Sequence, residues 1–302
     1  MTRTHAFPAR ARPRQQQTEP YLYLGPSLLL IALVMLVPLL IGVAYSFQHL
    51  VVYDPLGDGG FVGLANYRQA LADPLFWGAL GNTLKWTVSS LVLQVALGLG
   101  LALLLRAPFQ GRGLYQALVF LPWAVPAFLS GFAWKWLYDP AIGPFSPALL
   151  SAGWIREPLN VLGDPATALW GVVVANVWFG VPFFAITLLA ALQSIPGDQY
   201  EAADIDGAGR WAQFTAITLP WLRPTLLITV LLRTIWIANF TDLIWVMTGG
   251  GPAGSSHILS SYIFSTVFQK LDFGYGAALS TVLLLLLLAY AAVLGRARQR
   301  LA

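Results

Sequence analysis

Six apolar stretches divide this sequence, each about as long as the ~20 residues a helix needs to cross a hydrocarbon core. They run over residues 21–47, 82–105, 114–138, 166–194, 224–247 and 275–294. Lipid offers no water to exposed N–H and C=O groups, so a spanning segment must pair its backbone internally. For stretches of this length, that means helix. The expected fold is an all-α polytopic membrane protein with six transmembrane helices. Charged residues are 10% of the chain and hydrophobic ones 57%, so arguments built for soluble cores do not carry over.

The connections set the orientation. With the N-terminus inside, the inner side holds Arg3, Arg10, Arg12, Arg14, Arg106, Arg112, Arg210, Arg223, Arg296, Arg298 and Arg300. The outer side holds Arg68, Lys85, Lys135, Arg156 and Lys270. Eleven against five follows the positive-inside rule, with both termini and the connection at 195–223 in the cytoplasm. Residues 1–20, rich in Arg, Pro and Gln, read as a basic cytoplasmic tail ahead of a transmembrane domain over 21–302. The run at 21–47 is too long for a cleaved signal peptide and has no small-residue cleavage site.

Composition also excludes several chemistries. The net charge of +4 comes from residues at span ends and does not point to nucleic acid. Without cysteine there is no disulfide, thiolate metal site or cysteine nucleophile. His5, His49 and His257 lie far apart, and no HExxH occurs. A GxxxxGK[ST] loop is also missing, so nucleotide chemistry would belong to another chain. The in-membrane set Asn176, Arg233, Asn239 and Asp242 makes no acid–base or metal constellation for an enzyme. Repeated halves, the mark of many secondary carriers, are not evident.

The polar island QSIPGDQYEAADIDGAGRWAQFTAITLPWLRP, residues 193–224, interrupts the apolar pattern. Pro196 and Gly197 break the preceding helix. Asp198 is placed to cap a short new one, with Glu201 completing a capping-box pair. Gly207 is the natural stop. Glu201 and Asp204 share one side, and Ala202 and Ala203 leave a smooth opposite side. A helix this short does not hold alone in water, so another surface must pack on it.

Glu201-Ala202-Ala203, then Gly207, then Ile217, Leu219 and Pro220 together resemble the EAA loop of membrane subunits of binding-protein-dependent ABC importers, of the maltose-type, MetI-like kind. The stretch FVGLANYRQALADPLFWGALGNT is similar to the external segment after the first span of sugar-type permeases. The resemblance implies a coupling helix, carrying Glu201, Ala202, Ala203, Asp204 and Gly207, that docks in a groove of an ATPase subunit. It also implies a prokaryotic inner-membrane location, a second permease completing a heterodimeric pore, two ATP-binding cassette subunits and an extracytoplasmic solute-binding protein. This chain would bind no cofactor, ATP and Mg being held by the ATPase partners. The implied cargo is a di- or oligosaccharide, with glycerol phosphate, a polyol or a peptide as alternatives.

Polar and aromatic residues at bilayer depth face a cavity or another helix. Asn176, Phe179, Gly180 and Phe183 fall at i, i+3, i+4 and i+7 of the fourth span, and Trp236, Asn239 and Phe240 at i, i+3 and i+4 of the fifth. Rings beside an amide suit a neutral polyhydroxylated solute. They equally suit packing between helices, with the amide bonded to a neighbour. The resemblance favours the solute, because Asn176, Gly180 and Phe183 match sugar-site positions of maltose-type permeases when counted back from Glu201. In the fifth span the spacing after Pro220 differs from the family's by a residue. Arg233 lies roughly 15 Å above Pro224 along the helix, to pair either with an anionic solute or with an acid or carbonyls of another helix. Structural pairing is the favoured expectation.

Overall fold

The computed structural model describes residues 14–54 and 60–301, with side chains over 23–54 and 60–296. In chain order the helices are α1 (Arg14–Ile31), α2 (Val37–Tyr45), α3 (Ala65–Ala72), α4 (Pro74–Arg106), α5 (Arg112–Ala124), α6 (Ala127–Leu137) and α7 (Phe145–Ser151). There follow α8 (Ala168–Gln193), α9 (Gly197–Ile205), α10 (Arg210–Gln213), α11 (Leu219–Ala238), α12 (Thr241–Met247), α13 (Leu259–Phe268) and α14 (Phe273–Leu301). Single π turns at Ala32–Leu36 and Phe214–Thr218 join α1 to α2 and α10 to α11. Among the described residues there is no β-strand, only two isolated bridges. Among the described residues five helical segments are long and apolar enough to cross a membrane, or six if α5 and α6 are one broken span.

Element boundaries differ from the sequence reading in instructive places. Helix α1 begins at Arg14, inside the stretch read as tail, while residues 1–13 of that stretch lie outside the described residues. The Gln-rich segment ahead of the apolar run has fair helix propensity, and the run extends it. Helix α4 starts at Pro74, well before residue 82. Asp73 caps it through Oδ1, which accepts from Leu75 N at 2.8 Å, and Pro74 sits at the first position, where no N–H is needed. Asn82, which read as a polar boundary, is instead a helical residue donating to the carbonyls of Ser255 and His257.

The third span bends by 95° between α5 and α6. Pro126 lacks an N–H and forces its predecessor Val125 to extended backbone, φ −92° and ψ 127°. The fifth span starts at Arg210 rather than Pro224 and breaks at Asn239–Phe240, leaving α12 as a separate turn. The Trp86 indole donates to the Ile237 carbonyl at 2.9 Å beside this break, as internal satisfaction in lipid requires.

Helices α4 and α8 pack along their lengths and divide the core in two. One cluster gathers Trp86, Val172, Val173, Ile237, Leu243 and Ile244; the other gathers Leu105, Phe184, Leu188, Leu192 and Leu222. A third, built from Phe76, Leu259, Tyr262, Tyr275 and Leu279, ties α4 to α13 and α14. Lipid tails are as apolar as leucine, so close packing and interhelical hydrogen bonds must hold these faces together. The apolar segment Tyr23–Tyr45 buries nothing in its most hydropathic window, leaving it free for lipid or a neighbouring subunit.

One end of the bundle is stitched by α4. Asp73 Oδ2 accepts from the hydroxyls of Tyr262 at 2.5 Å and Tyr275 at 2.8 Å, and Thr83 Oγ1 accepts from Leu259 N. Burial pushes the Asp73 carboxyl up, but the two tyrosine hydroxyls, the Leu75 N–H and the charge of Lys270 outweigh it and hold the group below the usual carboxylate range. Tyr262 is pushed up to about 12, by burial first and then by its bond to Asp73. His257 is held down by burial and by the Lys270 charge.

Candidate functional site

Two places hold the residues singled out above. The first lies mid-bundle, where α8 faces α11 and α12. Phe179 stacks on Phe240 with ring centroids 5.4 Å apart, and Phe183 meets Trp236 at 5.4 Å and Trp123 of α5 at 5.8 Å. Trp236 is 49% exposed, so the array opens onto the protein surface rather than into a closed core.

Behind the rings is a polar relay. Gln94 of α4 donates through Nε2 to the Asn176 carbonyl at 2.9 Å and accepts through Oε1 from Arg233 Nε at 2.9 Å. Arg233 is only 5% exposed, and its guanidinium carbon lies 5.9 Å from the Phe183 ring centroid. Arg233 is therefore paired within the bundle, with the side-chain carbonyl of an amide on α4 and not with an acid. Gly180 makes the relay possible. A Cβ there would collide with Gln94 Cδ and Arg233 Nη2, so the close approach it permits in this structure is that of these two side chains. Asn176 is wholly buried. Its Nδ2 and Oδ1, with Arg233 Nη2, find no hydrogen-bond partner among the described residues.

Asn239 does not join this array. The helix breaks at that residue, φ −100° and ψ 3°, so Trp236, Asn239 and Phe240 no longer share a helical face. Its amide donates to Ile235 O at 2.9 Å, and the residue lines a groove with Ile263, Ser280 and Leu284 of α13 and α14. The i, i+3, i+4 argument fails because it assumed unbroken helix. Gln94 and Trp123 were missed. Gln94 carried a signal, being a carboxamide in the apolar second half of its span, far from either end. Trp123 carried none that separates it from packing.

The second place is the connection between α8 and α11. Helix α9 ends in a Schellman motif: Ala208 N donates to Ala203 O at 2.8 Å and Gly207 N to Asp204 O at 3.1 Å. Gly207 takes φ +74°, which a side chain disfavours. The start differs from the expectation. Pro196 occupies the cap position, no side chain caps the helix, and Asp198 Oδ1 accepts only from the neighbouring Gln199 N. Helix begins two residues earlier than expected, placing Asp198 inside the first turn, where its charge still suits the dipole. Gln213 Nε2 donates to Asp204 Oδ1 and to the Ala208 carbonyl, pinning the turn.

Glu201, Ala202, Asp204 and Gly207 are exposed and Ala203 is half-buried. Nearby, Ile205 is 87% and Trp211 76% exposed, an apolar surface uncovered by this chain. Among the described residues no cluster of His, Asp or Glu is arranged to hold a metal.

A helical bundle with this connection has known counterparts. Residues 94–301 match the family model of the binding-protein-dependent transport system inner membrane component. The chain belongs to that family. It is 37% identical over 273 residues to the trehalose/maltose transport system permease of Thermococcus litoralis, covering 90% of this chain and 91% of that one. The diacetylchitobiose uptake permease of Streptomyces coelicolor is 34% identical, with 93% and 86% covered. The sulfoquinovosyl glycerol permease of Agrobacterium fabrum is also 34% identical, with 90% and 87% covered. Among solved structures, a chain of a bacterial ABC transporter that imports the acidic polysaccharide alginate superposes with a TM-score of 0.81 at 23% identity, covering 95% of this chain and 96% of that one. The shared fold is the MetI-like permease, and this chain is a membrane permease subunit of an ABC importer.

Proposed function

We propose that this subunit passes a di- or oligosaccharide through a pore made with a second permease. An extracytoplasmic binding protein delivers the solute, and two ATPase subunits that hold ATP and Mg drive its passage. The chain itself performs no covalent chemistry. The observation that carries the sugar assignment is the array of paired rings, Phe179 with Phe240 and Phe183 with Trp236, which runs from buried Phe183 to exposed Trp236 between α8 and α11–α12. Aromatic faces cover the apolar face of a pyranose, and the sugars named for three similar permeases agree with this chemistry. The buried amide of Asn176 and the free Arg233 Nη2 lie behind the rings. Leaving them unpaired is unfavourable, so a rearrangement that offers them solute hydroxyls would relieve that cost.

In this reading α9 sits in the cytoplasm with both chain termini and docks on an ATPase through Glu201, Ala202, Ala203, Asp204 and Gly207. The exposed Ile205 and Trp211 supply apolar area for the contact. The rings suit the apolar face of a sugar whatever its charge, and Arg233 Nε is already engaged by Gln94. Two measurements test the proposal. Affinity isolation of the tagged chain should bring down a second permease and an ATPase. Thermal-shift screening of the cognate binding protein should find a di- or oligosaccharide as the stabilising ligand. Isolation of the chain alone, active in liposomes without ATP, would refute the assembly. Stabilisation by a peptide or a phosphate ester in place of a sugar would refute the cargo.

A further inference from the structure

Tyr200 stands where one short helix meets the ends of three long ones. The Arg106 guanidinium carbon, at the last residue of α4, lies 4.3 Å from the Tyr200 ring centroid. Its hydroxyl is 2.8 Å from Thr218 Oγ1, at the end of the π turn that leads into α11. The ring packs on the core cluster of Leu105, Leu192 and Leu222, which brings in the end of α8. Its neighbours Glu201, Ala202, Asp204 and Ile205 are exposed.

We propose that Tyr200 is the positioning residue through which displacement of α9 reaches the membrane spans, moving α4 by way of Arg106 and α11 by way of Thr218. The inference rests on the reading of α9 as the helix an ATPase grips. The two links differ in kind. A cation over a ring face remains attracted out to about 6 Å and tolerates sliding, so Arg106 keeps α4 attached while α9 translates. A hydroxyl–hydroxyl bond works over a few tenths of an ångström and fixes the angle of the π turn. Such turns carry one residue in excess of α-helical register and are common at places where helices rearrange. Thr218 is itself buried, so its hydroxyl depends on Tyr200 and the chain for partners.

The test uses the assembled complex of both permeases and the ATPase subunits in lipid nanodiscs. The sequence has no cysteine, so spin labels can be placed in pairs on this chain. Label pairs at Leu104 and Leu288 report α4 against α14, and pairs at Ile228 and Leu288 report α11; all three positions are exposed. The wild-type complex should change both distances when Mg-ATP and vanadate are added. Tyr200→Leu should lose both changes while the ATPase subunits stay bound. Arg106→Gln should lose the α4 change and Arg106→Lys should keep it, a rescue that a purely steric role would not show. Tyr200→Phe retains the ring and should lose only the α11 change, so it decides the matter even if Tyr200→Leu fails to assemble. Unaltered distance changes in Tyr200→Phe and Arg106→Gln would overturn the inference and leave the docking proposal intact. A wild-type complex that holds its ATPase but shows no distance change would count against the lever reading itself.

Discussion

The two ends of this bundle are built on opposite plans. At the Asp73 end, α4 contributes Asp73, Asn82 and Thr83 to hydrogen bonds with α13, α14 and the loop before α13. Polar groups there are tied to one another, and the bonds cross between segments distant in sequence. At the Gly207 end, α9 is held mainly by its own turn and by Tyr200, and most of its side chains point away from the bundle. Under the proposed function the first plan makes a platform and the second a handle. In lipid, where apolar contact adds little drive, bonds of the first kind fix relative helix positions. An end that must respond to another protein cannot be fixed in that way.

If that contrast is right, substitutions at the handle abolish function with little loss of stability, and substitutions at the platform do the reverse. The largest effect is expected at Gly207→Val. A β-branched residue at φ +74° costs about 1–3 kcal/mol, enough to unwind a helix as short as α9. No neighbouring atom lies within 4 Å of the added Cβ, so the bundle itself is untouched. Stimulation of ATP hydrolysis by loaded binding protein should vanish, while the melting temperature in detergent stays near wild type. Full stimulation would break the contrast.

Between the two ends, Arg233→Met leaves Gln94 Oε1 without its donor, at a cost of about 1–3 kcal/mol. Assembly or transport rate should fall without a change in which solutes compete for uptake. Specific loss of an anionic solute would show that the guanidinium serves cargo instead of structure.

At the platform, Asp73→Asn removes a charged acceptor shared by two tyrosines and should destabilise the chain by about 1.5–3 kcal/mol while preserving stimulated hydrolysis. The pH dependence has a defined sign. The folded carboxyl titrates below an unfolded one, so its contribution is complete above about pH 4 and is lost as pH falls through the lower folded value. Thermal melts of wild type should therefore weaken below that range, and Asp73→Asn should lack this component.

The smallest effect is expected at Asn239→Ala. This amide bonds its own backbone and stands apart from the rings. Transport should change by less than about twofold, against roughly tenfold for Trp236→Ala, the equivalent of about 1.4 kcal/mol and near the upper end for loss of one aromatic pair. Equal losses at both positions would place Asn239 back in the solute path.

The sequence revealed most of the architecture, since span number, helical class and the stop at Gly207 follow from apolar run length and local backbone preference. It revealed pairs of ring positions on one unbroken helix, because Phe179 and Phe183 obey a period that α8 keeps even through Pro182. It failed where a helix breaks. Nothing in the string around Asn239 marks the change of direction, which depends on α12 packing against α6. Asp198 misled because Pro196 already ends the previous helix and takes the cap position. The relay through Gln94 was hidden because its partners, Asn176 and Arg233, are 82 and 139 residues away.

In the proposed function α9 is a cytoplasmic handle gripped by another polypeptide. Single cysteines at Ala202 or Ile205, treated with a membrane-impermeant maleimide, test this most directly. They should react in inside-out vesicles stripped of ATPase, resist reaction once ATPase subunits are added back, and stay unmodified in right-side-out vesicles. Modification from the outer face, or reactivity indifferent to the ATPase, would contradict it.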